Sequence, residues 1–204
     1  MRKASLALDG DRSAQSQVEP SQTTQNPVGQ FDSNQTSQII TKPIPRTNEE
    51  VPAIGMGTFL TFDVLKDQPR DNIREVMRRF WEGGGRMIDV SPLYGMSEEN
   101  LGEFAPALGM TDQLFIANKI WATGRYLGDD SQAMQQFEQS LQRLSRQRID
   151  LMQVHSLVNV DIILPLIKEL KQSGRVRHVG VTHHELLYNA PLQRLVETGD
   201  LDFV

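Results

Sequence analysis

The feature that most constrains the fold of this 204-residue chain is a regular alternation of apolar strand-like runs with amphipathic helix-like segments. The strand-like runs are IGMGT (54–58), RMIDV (86–90), LFIANKI (114–120), IDLMQVH (149–155), VRHVGVT (176–182) and the shorter DFV (202–204). Their first residues lie 26 to 35 positions apart, which is the step expected of repeated βα units. The pattern predicts an α/β protein with a parallel sheet.

The segments between these runs carry helix signals. The segment from Arg70 to Glu82 has apolar residues Ile73, Val76, Met77 and Phe80 on one face and ends at three glycines. Ser97, followed by two glutamates, predicts an N-cap and an acidic first turn for the next helix. Further apolar stripes predict helices over 134–144, 162–170 and 185–197.

Parallel strands joined by right-handed helical crossovers leave two main architectures, an open doubly wound sheet and a (β/α)8 barrel. No GxGxxG motif follows the first run, and that motif would be the main sequence evidence for a dinucleotide-binding doubly wound sheet. We therefore predict a TIM-barrel fold. The chain ends within the sixth strand-like run, so the predicted barrel is incomplete, with about five βα units and the start of strand six.

The first 37 residues differ in composition from the rest of the chain. Residues 13–38 contain seven glutamines, five serines and a single aromatic residue. Such a segment buries too little apolar surface to fold, so we predict a disordered arm over 1–37 and the barrel over 38–204. A glutamine-rich helix is the other interpretation, but Pro20 and Pro27 oppose it. At the start of the barrel, QIITKPIP and VPAIGMG flank the polar turn RTNEE and predict a hairpin.

Charge and composition restrict the possible partners and location. The net charge of −5 does not indicate a surface that binds nucleic acid, and no apolar run approaches the length that spans a membrane. Cysteine is absent, which excludes disulfides and thiolate metal sites. The basic start Met1-Arg2-Lys3 meets acidic residues before any apolar stretch, so no export signal is evident. We expect a cytoplasmic protein, while a different N-terminus would leave a periplasmic location open.

Three consecutive strand-like runs end in a group that can carry a proton: Asp89, Lys119 and His155. In a barrel, the C-terminal ends of the strands converge on one mouth, where active sites lie. Tyr94, in the loop after Asp89, would reach over the same mouth. Each residue alone has an ordinary explanation as a turn, packing or lid residue. Their equivalent positions on adjacent strands indicate a shared site.

These side chains suit the protonation of a carbonyl oxygen. Free tyrosine has a pKa of ~10, and we expect the Lys119 ammonium to lower the pKa of Tyr94. Asp89 would keep Lys119 charged and correctly oriented. His155 would donate a hydrogen bond that polarises the substrate carbonyl. The arrangement predicts a carbonyl reductase in which hydride comes from a cofactor.

These residues resemble the motifs of the aldo/keto reductase family. Asp89 and Tyr94 in IDVSPLYG, followed by SEENLG (97–102), are similar to the Asp…Tyr-Gly-x-Ser-Glu…Leu-Gly segment of that family. Lys119 in ANKIW resembles the Thr-Lys end of the family's third strand. His155 in IDLMQVH resembles its fourth-strand histidine.

Two further segments agree with the family in order and spacing. IGMGTF (54–59) is similar to the first-strand run that approaches the nicotinamide cofactor, and GRVRHVGVT (174–182) resembles the fifth-strand segment. The resemblance covers roughly residues 38–204. It implies a (β/α)8 barrel that reduces aldehydes or ketones to alcohols reversibly, with NADPH as cofactor and NADH as the alternative.

The resemblance also implies a role for each matching residue. The catalytic set would be Asp89, Tyr94, Lys119 and His155. The cofactor would contact Gly57, Thr58, Asp89, Thr182 and His183. Trp121 would form part of the substrate wall together with Tyr94 and His155. No metal ion is expected, because His183 and His184 are adjacent residues whose side chains diverge.

The chain departs from the family pattern at two places. Thr182-His183 stands where the family has Ser-Asn; Thr182 can keep the hydroxyl, whereas His183 puts the contact with the nicotinamide carboxamide in question. The family also continues through strands six to eight, so we expect a truncated member that, expressed alone, is poorly soluble and inactive. The substrate identity, the choice of cofactor and the oligomeric state are not determined by the sequence.

Two other functions remain open at this stage. A cofactor-binding regulatory subunit could keep the same barrel without turnover. An aldolase-like barrel could use Lys119 to form a Schiff base, although Asp89, by keeping that lysine charged, opposes this.

Overall fold

The computed structural model of the chain describes residues 40–123 and 129–204. The predicted disordered arm, residues 1–37, lies outside the described residues, and its boundary stays a prediction. The centre of the fold is a five-stranded parallel sheet in the order β3-β4-β5-β6-β7. These strands are β3 (Gly55–Gly57), β4 (Met87–Asp89), β5 (Phe115–Ile120), β6 (Ile149–His155) and β7 (Val176–Thr182). Each lies within a strand-like run of the sequence.

A short antiparallel hairpin precedes the sheet, as predicted. It consists of β1 (Thr41–Pro43) and β2 (Glu50–Pro52), with Lys42 opposite Val51. Ile44 and Val51 are buried against Phe115 and Leu151 on one face of the sheet. The hairpin therefore covers the apolar side chains at the N-terminal ends of the central strands, on the side of the sheet that faces the barrel interior.

The helices alternate with the strands and pack mainly against the other face of the sheet. They are α1 (Asp71–Glu82), α2 (Ser97–Ala107), α3 (Ser131–Arg143), α4 (Val160–Gln172) and α5 (Asn189–Glu197), with 3-10 turns at Thr111–Gln113 and Leu186–Tyr188. Met77, Phe137 and Ile163 belong to the core between helices and sheet and are fully buried. Because β5 is covered on both faces, all six of its residues are buried.

Two details of the helix predictions are wrong. Val76 does not share the buried face of α1: it is 44% exposed, while Ile73 and Met77 are buried one turn apart. Ser97 is not the N-cap of α2 but its first helical residue, and its hydroxyl donates to the Tyr94 carbonyl at 2.7 Å. The neighbouring Glu98 is fully buried and accepts a hydrogen bond from Asn118 at 2.8 Å, so it joins α2 to β5.

The sheet remains open within residues 40–123 and 129–204, with β3 and β7 at its edges. Phe203 forms a parallel bridge with Gly180 of β7, at the position where the sequence predicts a sixth strand. Alternating helices and parallel strands in this order confirm the predicted fold class, an incomplete barrel of the TIM type. Within these residues, every helix is too short or too polar to cross a membrane.

The contact between α2 and α3 provides a test of this packing. A Cβ atom added at Gly102 would lie 1.7 Å from the Arg143 carbonyl oxygen, so Gly102→Ala must push the two helices apart. We expect the free energy of unfolding to fall by ~1–3 kcal/mol in urea denaturation, despite the higher helix propensity of alanine. Gly57→Ala is the control, because a Cβ there meets nothing within 4 Å. Equal stability of the two variants would contradict the packing.

Candidate active site

The C-terminal ends of β4 and β5 meet in an ion pair between the buried Lys119 and the partly exposed Asp89. The Lys119 Nζ lies 2.8 Å and 2.7 Å from the two carboxylate oxygens of Asp89, and 2.9 Å from the Val90 carbonyl oxygen. An ammonium group has three hydrogens, so these contacts use all of its donors. Lys119 is only 5% exposed. Its burial lowers the pKa of the ammonium, and the Asp89 charge and hydrogen bond oppose that shift.

The loop after β4 places Tyr94 above this ion pair. Lys119 Nζ lies 4.8 Å from the centre of the Tyr94 ring, within the range of a cation–π contact. The Phe59 ring centre lies 5.0 Å from that of Tyr94, and the His155 ring meets it edge-on at 5.9 Å. The structure thus brings together the four residues that the sequence analysis placed at one mouth.

The prediction that Lys119 lowers the pKa of Tyr94 is wrong for this arrangement. Burial, and next the charge of Asp89, raise the pKa of the phenol. The reason is geometric: Asp89 and Val90 take every hydrogen of the ammonium, which contacts the face of the tyrosine ring. Tyr94 is therefore protonated at neutral pH, as a free tyrosine is, and the raised pKa makes it a weaker acid than a free tyrosine.

The Tyr94 loop is held by a residue that sequence reasoning missed. Asp63 Oδ1 accepts a hydrogen bond from the Met96 backbone N–H at 2.9 Å. Gly95 has a φ of +57°, and a Cβ there would lie 2.0 Å from the Asp63 carboxylate. Glycine is therefore required beside the tyrosine, both for the left-handed backbone and for the close approach of Asp63. Nothing in the sequence around Asp63 signals this contact.

His155, at the end of β6, is half-buried and linked to the same loop. Its Nδ1 lies 3.1 Å from the Ser91 Oγ, another contact that sequence reasoning missed. Burial, and next the Lys119 charge, lower the pKa of His155 to about 4. The imidazole is therefore neutral at neutral pH, with one N–H donor and one acceptor nitrogen.

The predicted cofactor residues differ in accessibility. Gly57 is exposed and has open space in front of it, because an added Cβ would meet nothing within 4 Å. Thr58 is fully buried, and its hydroxyl donates to the Asp89 carbonyl oxygen at 2.9 Å. The expected contact of the Thr58 side chain with a cofactor is therefore not supported; this residue joins the end of β3 to β4. The Asp89 side chain is 42% exposed and can be reached from the mouth.

The end of β7 lies beside β6 at the same mouth. Thr182 is paired with His155 in the strand register. The His183 Nδ1 accepts a hydrogen bond from the Glu185 N–H at 3.0 Å, and its ring stacks on Tyr188 at 3.6 Å. A neutral His183 must then carry its hydrogen on Nε2. His184 also stacks on His183 at 5.4 Å but is largely exposed.

Trp121 follows β5, two residues beyond Lys119. Gln136 of α3 holds the backbone of Trp121 through hydrogen bonds of 2.7 Å and 3.0 Å. The residue is 38% exposed, so its indole is available at the surface next to the mouth.

Comparison with known proteins agrees with the motifs and the fold. The sequence profile of the aldo/keto reductase family matches residues 53–204. The chain belongs to the aldo/keto reductase family. Among curated aldo/keto reductases, the Bacillus subtilis protein YhdN is 30% identical over 154 residues, which cover 70% of this chain and 46% of YhdN. L-galactose dehydrogenase of Arabidopsis thaliana is 28% identical over 182 residues, covering 82% of this chain and 56% of that enzyme.

Solved aldo/keto reductase structures share the fold. A thermostable aldo-keto reductase in complex with the inhibitor epalrestat superimposes with a TM-score of 0.64 at 23% identity, covering 78% of this chain and 58% of that one. The Bombyx mori aldo-keto reductase in complex with NADP gives 0.60 at 22% identity, covering 78% and 54%. This aldo/keto reductase chain thus spans about half the length of the relatives it matches.

The low pKa of His155 predicts a specific pH dependence. In an NMR titration, His155 should gain its proton near pH 4, whereas an unfolded histidine does so near ~6.5. Between these values the unfolded chain binds more protons, so the folded state should lose stability as the pH falls from ~6.5 towards 4. His155→Gln should reduce this loss. A midpoint near 6.5 for His155 in the folded protein would contradict the assignment.

Proposed function

We propose that the intact protein reduces aldehydes or ketones to alcohols with NADPH, and that Tyr94 donates the proton. The observation that carries this proposal is the position of Tyr94, with its ring over Lys119 and beside His155, above the Asp89–Lys119 ion pair. Family membership supports it, as does the similarity to the methylglyoxal reductase DkgA of Yersinia pestis, 34% identical over 125 residues. The Bombyx mori neighbour in complex with NADP favours the phosphorylated cofactor, and NADH is the alternative.

Each side chain has a distinct role in this reaction. The protonated Tyr94 hydroxyl donates to the substrate oxygen as negative charge develops there. His155, neutral and half-buried, donates a hydrogen bond to the same oxygen and orients the carbonyl. The Lys119 ammonium contacts the face of the Tyr94 ring, and Asp89 holds the ammonium in place. NADPH, when bound, supplies the hydride.

The residues at the mouth fit the nicotinamide end of such a cofactor. Gly57 leaves open space at the end of β3, as the close approach of a flat ring requires. Thr182 is next to His155, and the Nε2 of His183 makes no hydrogen bond within the described part of the chain. The Nε2–H of His183 offers a donor for the carboxamide oxygen, in place of the amide that other family members use.

The surface around Tyr94 supports a small carbonyl substrate with an apolar or aromatic group. Phe59, Leu93 and Trp121 are 59%, 48% and 38% exposed, and Phe59 contacts the Tyr94 ring. An exposed aromatic side chain beside the proton donor is suited to cover the apolar part of a substrate. We expect no nucleic-acid partner and a cytoplasmic location.

The two other functions receive less support. A Schiff-base lysine must lose a proton and become free to attack a carbonyl, but Lys119 has all three hydrogens bonded to Asp89 and Val90. A regulatory subunit without turnover has no requirement for a complete proton-donor set. Measurement of NADPH oxidation by the full-length gene product with aromatic and aliphatic aldehydes distinguishes this subunit from a reductase.

Tyr94→Phe tests the proton donor. The variant keeps the ring contacts with Phe59 and Lys119 but lacks the hydroxyl. We expect kcat for aldehyde reduction by the full-length protein to fall by at least ~10²–10⁴-fold, while the Kd for NADPH stays close to that of the wild type. Phe59→Tyr, which alters only the neighbouring ring, serves as a matched comparison. Near-normal turnover by Tyr94→Phe would eliminate the tyrosine as the acid.

His183→Asn tests the carboxamide contact. Asparagine can both donate and accept a hydrogen bond, whereas His183, whose Nδ1 accepts from the Glu185 N–H, offers only its Nε2–H. In fluorescence titrations of the full-length protein, we expect His183→Asn to bind NADPH as tightly as the wild type or more tightly. His183→Ala should weaken binding by roughly 2–10-fold, as for the loss of one hydrogen bond. Equal weakening in both variants would mean that the histidine has a contact that an amide cannot replace.

A further inference from the structure

Ser91 lies between the two groups that would meet the substrate oxygen. It is fully buried at the start of the loop that follows β4. Its Oγ lies 3.1 Å from Nδ1 of His155 and accepts a hydrogen bond from the Leu93 N–H at 3.2 Å. Its carbonyl oxygen accepts from the Tyr94 N–H at 2.9 Å. One residue therefore contacts both the histidine and the backbone that carries the tyrosine.

The hydrogen-bonding capacity of a serine determines the direction of the contact with His155. A hydroxyl has one hydrogen to donate, and the Leu93 N–H can only be a donor to it. Within residues 40–123 and 129–204, Nδ1 of His155 is the one acceptor within hydrogen-bond distance of Ser91 Oγ. If Nδ1 carried the hydrogen, the buried hydroxyl would have no acceptor, which is an unfavourable arrangement.

We propose that Ser91 is a positioning residue that fixes the tautomer of His155, by donating to Nδ1 and so keeping the imidazole hydrogen on Nε2. The Nε2 makes no hydrogen bond to the described part of the chain, so its N–H is free to meet a carbonyl oxygen at the mouth. The low pKa of His155 agrees with a neutral ring at neutral pH. The catalytic consequence rests on the proposed function, whereas the tautomer itself does not.

The tautomer can be observed directly. In the full-length protein labelled with ¹⁵N-histidine at neutral pH, the ring signals of His155 are assigned by their loss in His155→Gln. We expect an unprotonated Nδ1 and a protonated Nε2 in the wild type. Ser91→Ala should produce a mixture of tautomers, and Ser91→Thr should restore the wild-type state. The matched control is Ser140→Ala, because that hydroxyl is also buried but has no hydrogen-bond partner in the described structure.

Two results of this experiment would overturn the proposal. One is a wild-type His155 with its hydrogen on Nδ1, which can be determined even if Ser91→Ala does not fold. The other is a tautomer that is the same in Ser91→Ala as in the wild type.

Kinetics separate the positioning role from the proposed function. Ser91→Ala should lower kcat/KM for an aldehyde by ~2–10-fold, with an unchanged Kd for NADPH, and Ser91→Thr should recover the rate. A changed tautomer with an unchanged rate would overturn the positioning role. If the wild-type protein reduces no carbonyl compound, the proposed function fails, and the NMR result still decides the tautomer.

Discussion

The arrangement of the site depends on a lysine charge inside a strand that is buried along its whole length. Lys119 lies in β5, where every residue is buried, and an ammonium in such a place needs partners for all of its hydrogens. Asp89 supplies two acceptors and the Val90 carbonyl supplies the third. Because Asp89 ends β4 and Val90 follows it directly, these three contacts fix the ends of two neighbouring strands relative to each other and set the floor of the mouth.

Tyr94 and His155, the two side chains proposed to meet the substrate oxygen, are each held by residues that do not themselves react. Asp63 fixes the backbone beside Tyr94, and Ser97 at the start of α2 donates to the Tyr94 carbonyl oxygen. Ser91 contacts His155 and the Tyr94 loop together. Proton donation to a carbonyl requires the donors to be in place before the substrate arrives, because reorganisation during the reaction adds to the barrier. These supports provide that preorganisation.

The sequence predicted the strands and the meeting of Asp89, Lys119 and His155 because both follow from the repeat of βα units. The runs that contain β5, β6 and β7 are long and apolar enough to indicate buried parallel strands, and the ends of such strands converge. The contacts of Ser91 and Asp63 could not be predicted, since they depend on how two loops fold over each other. The predicted direction of the Tyr94 pKa shift was wrong for a related reason. The sequence spacing brings the ammonium near the tyrosine, but it does not determine whether the ammonium contacts the ring face or the hydroxyl. Thr58, expected at the cofactor, is fully buried, and its hydroxyl donates to the Asp89 carbonyl oxygen.

A double-mutant cycle on the ion pair tests most directly whether the site is organised around it. The free energy of unfolding is measured for the full-length protein and for Asp89→Asn, Lys119→Met and the double variant. We expect Asp89→Asn to be more destabilising than the double variant, because it leaves the buried ammonium without its carboxylate, whereas Lys119→Met removes that charge. The coupling energy between the two positions should lie in the range of ~0.5–3 kcal/mol. Additive effects of the two substitutions would contradict the central place given to the Asp89–Lys119 pair.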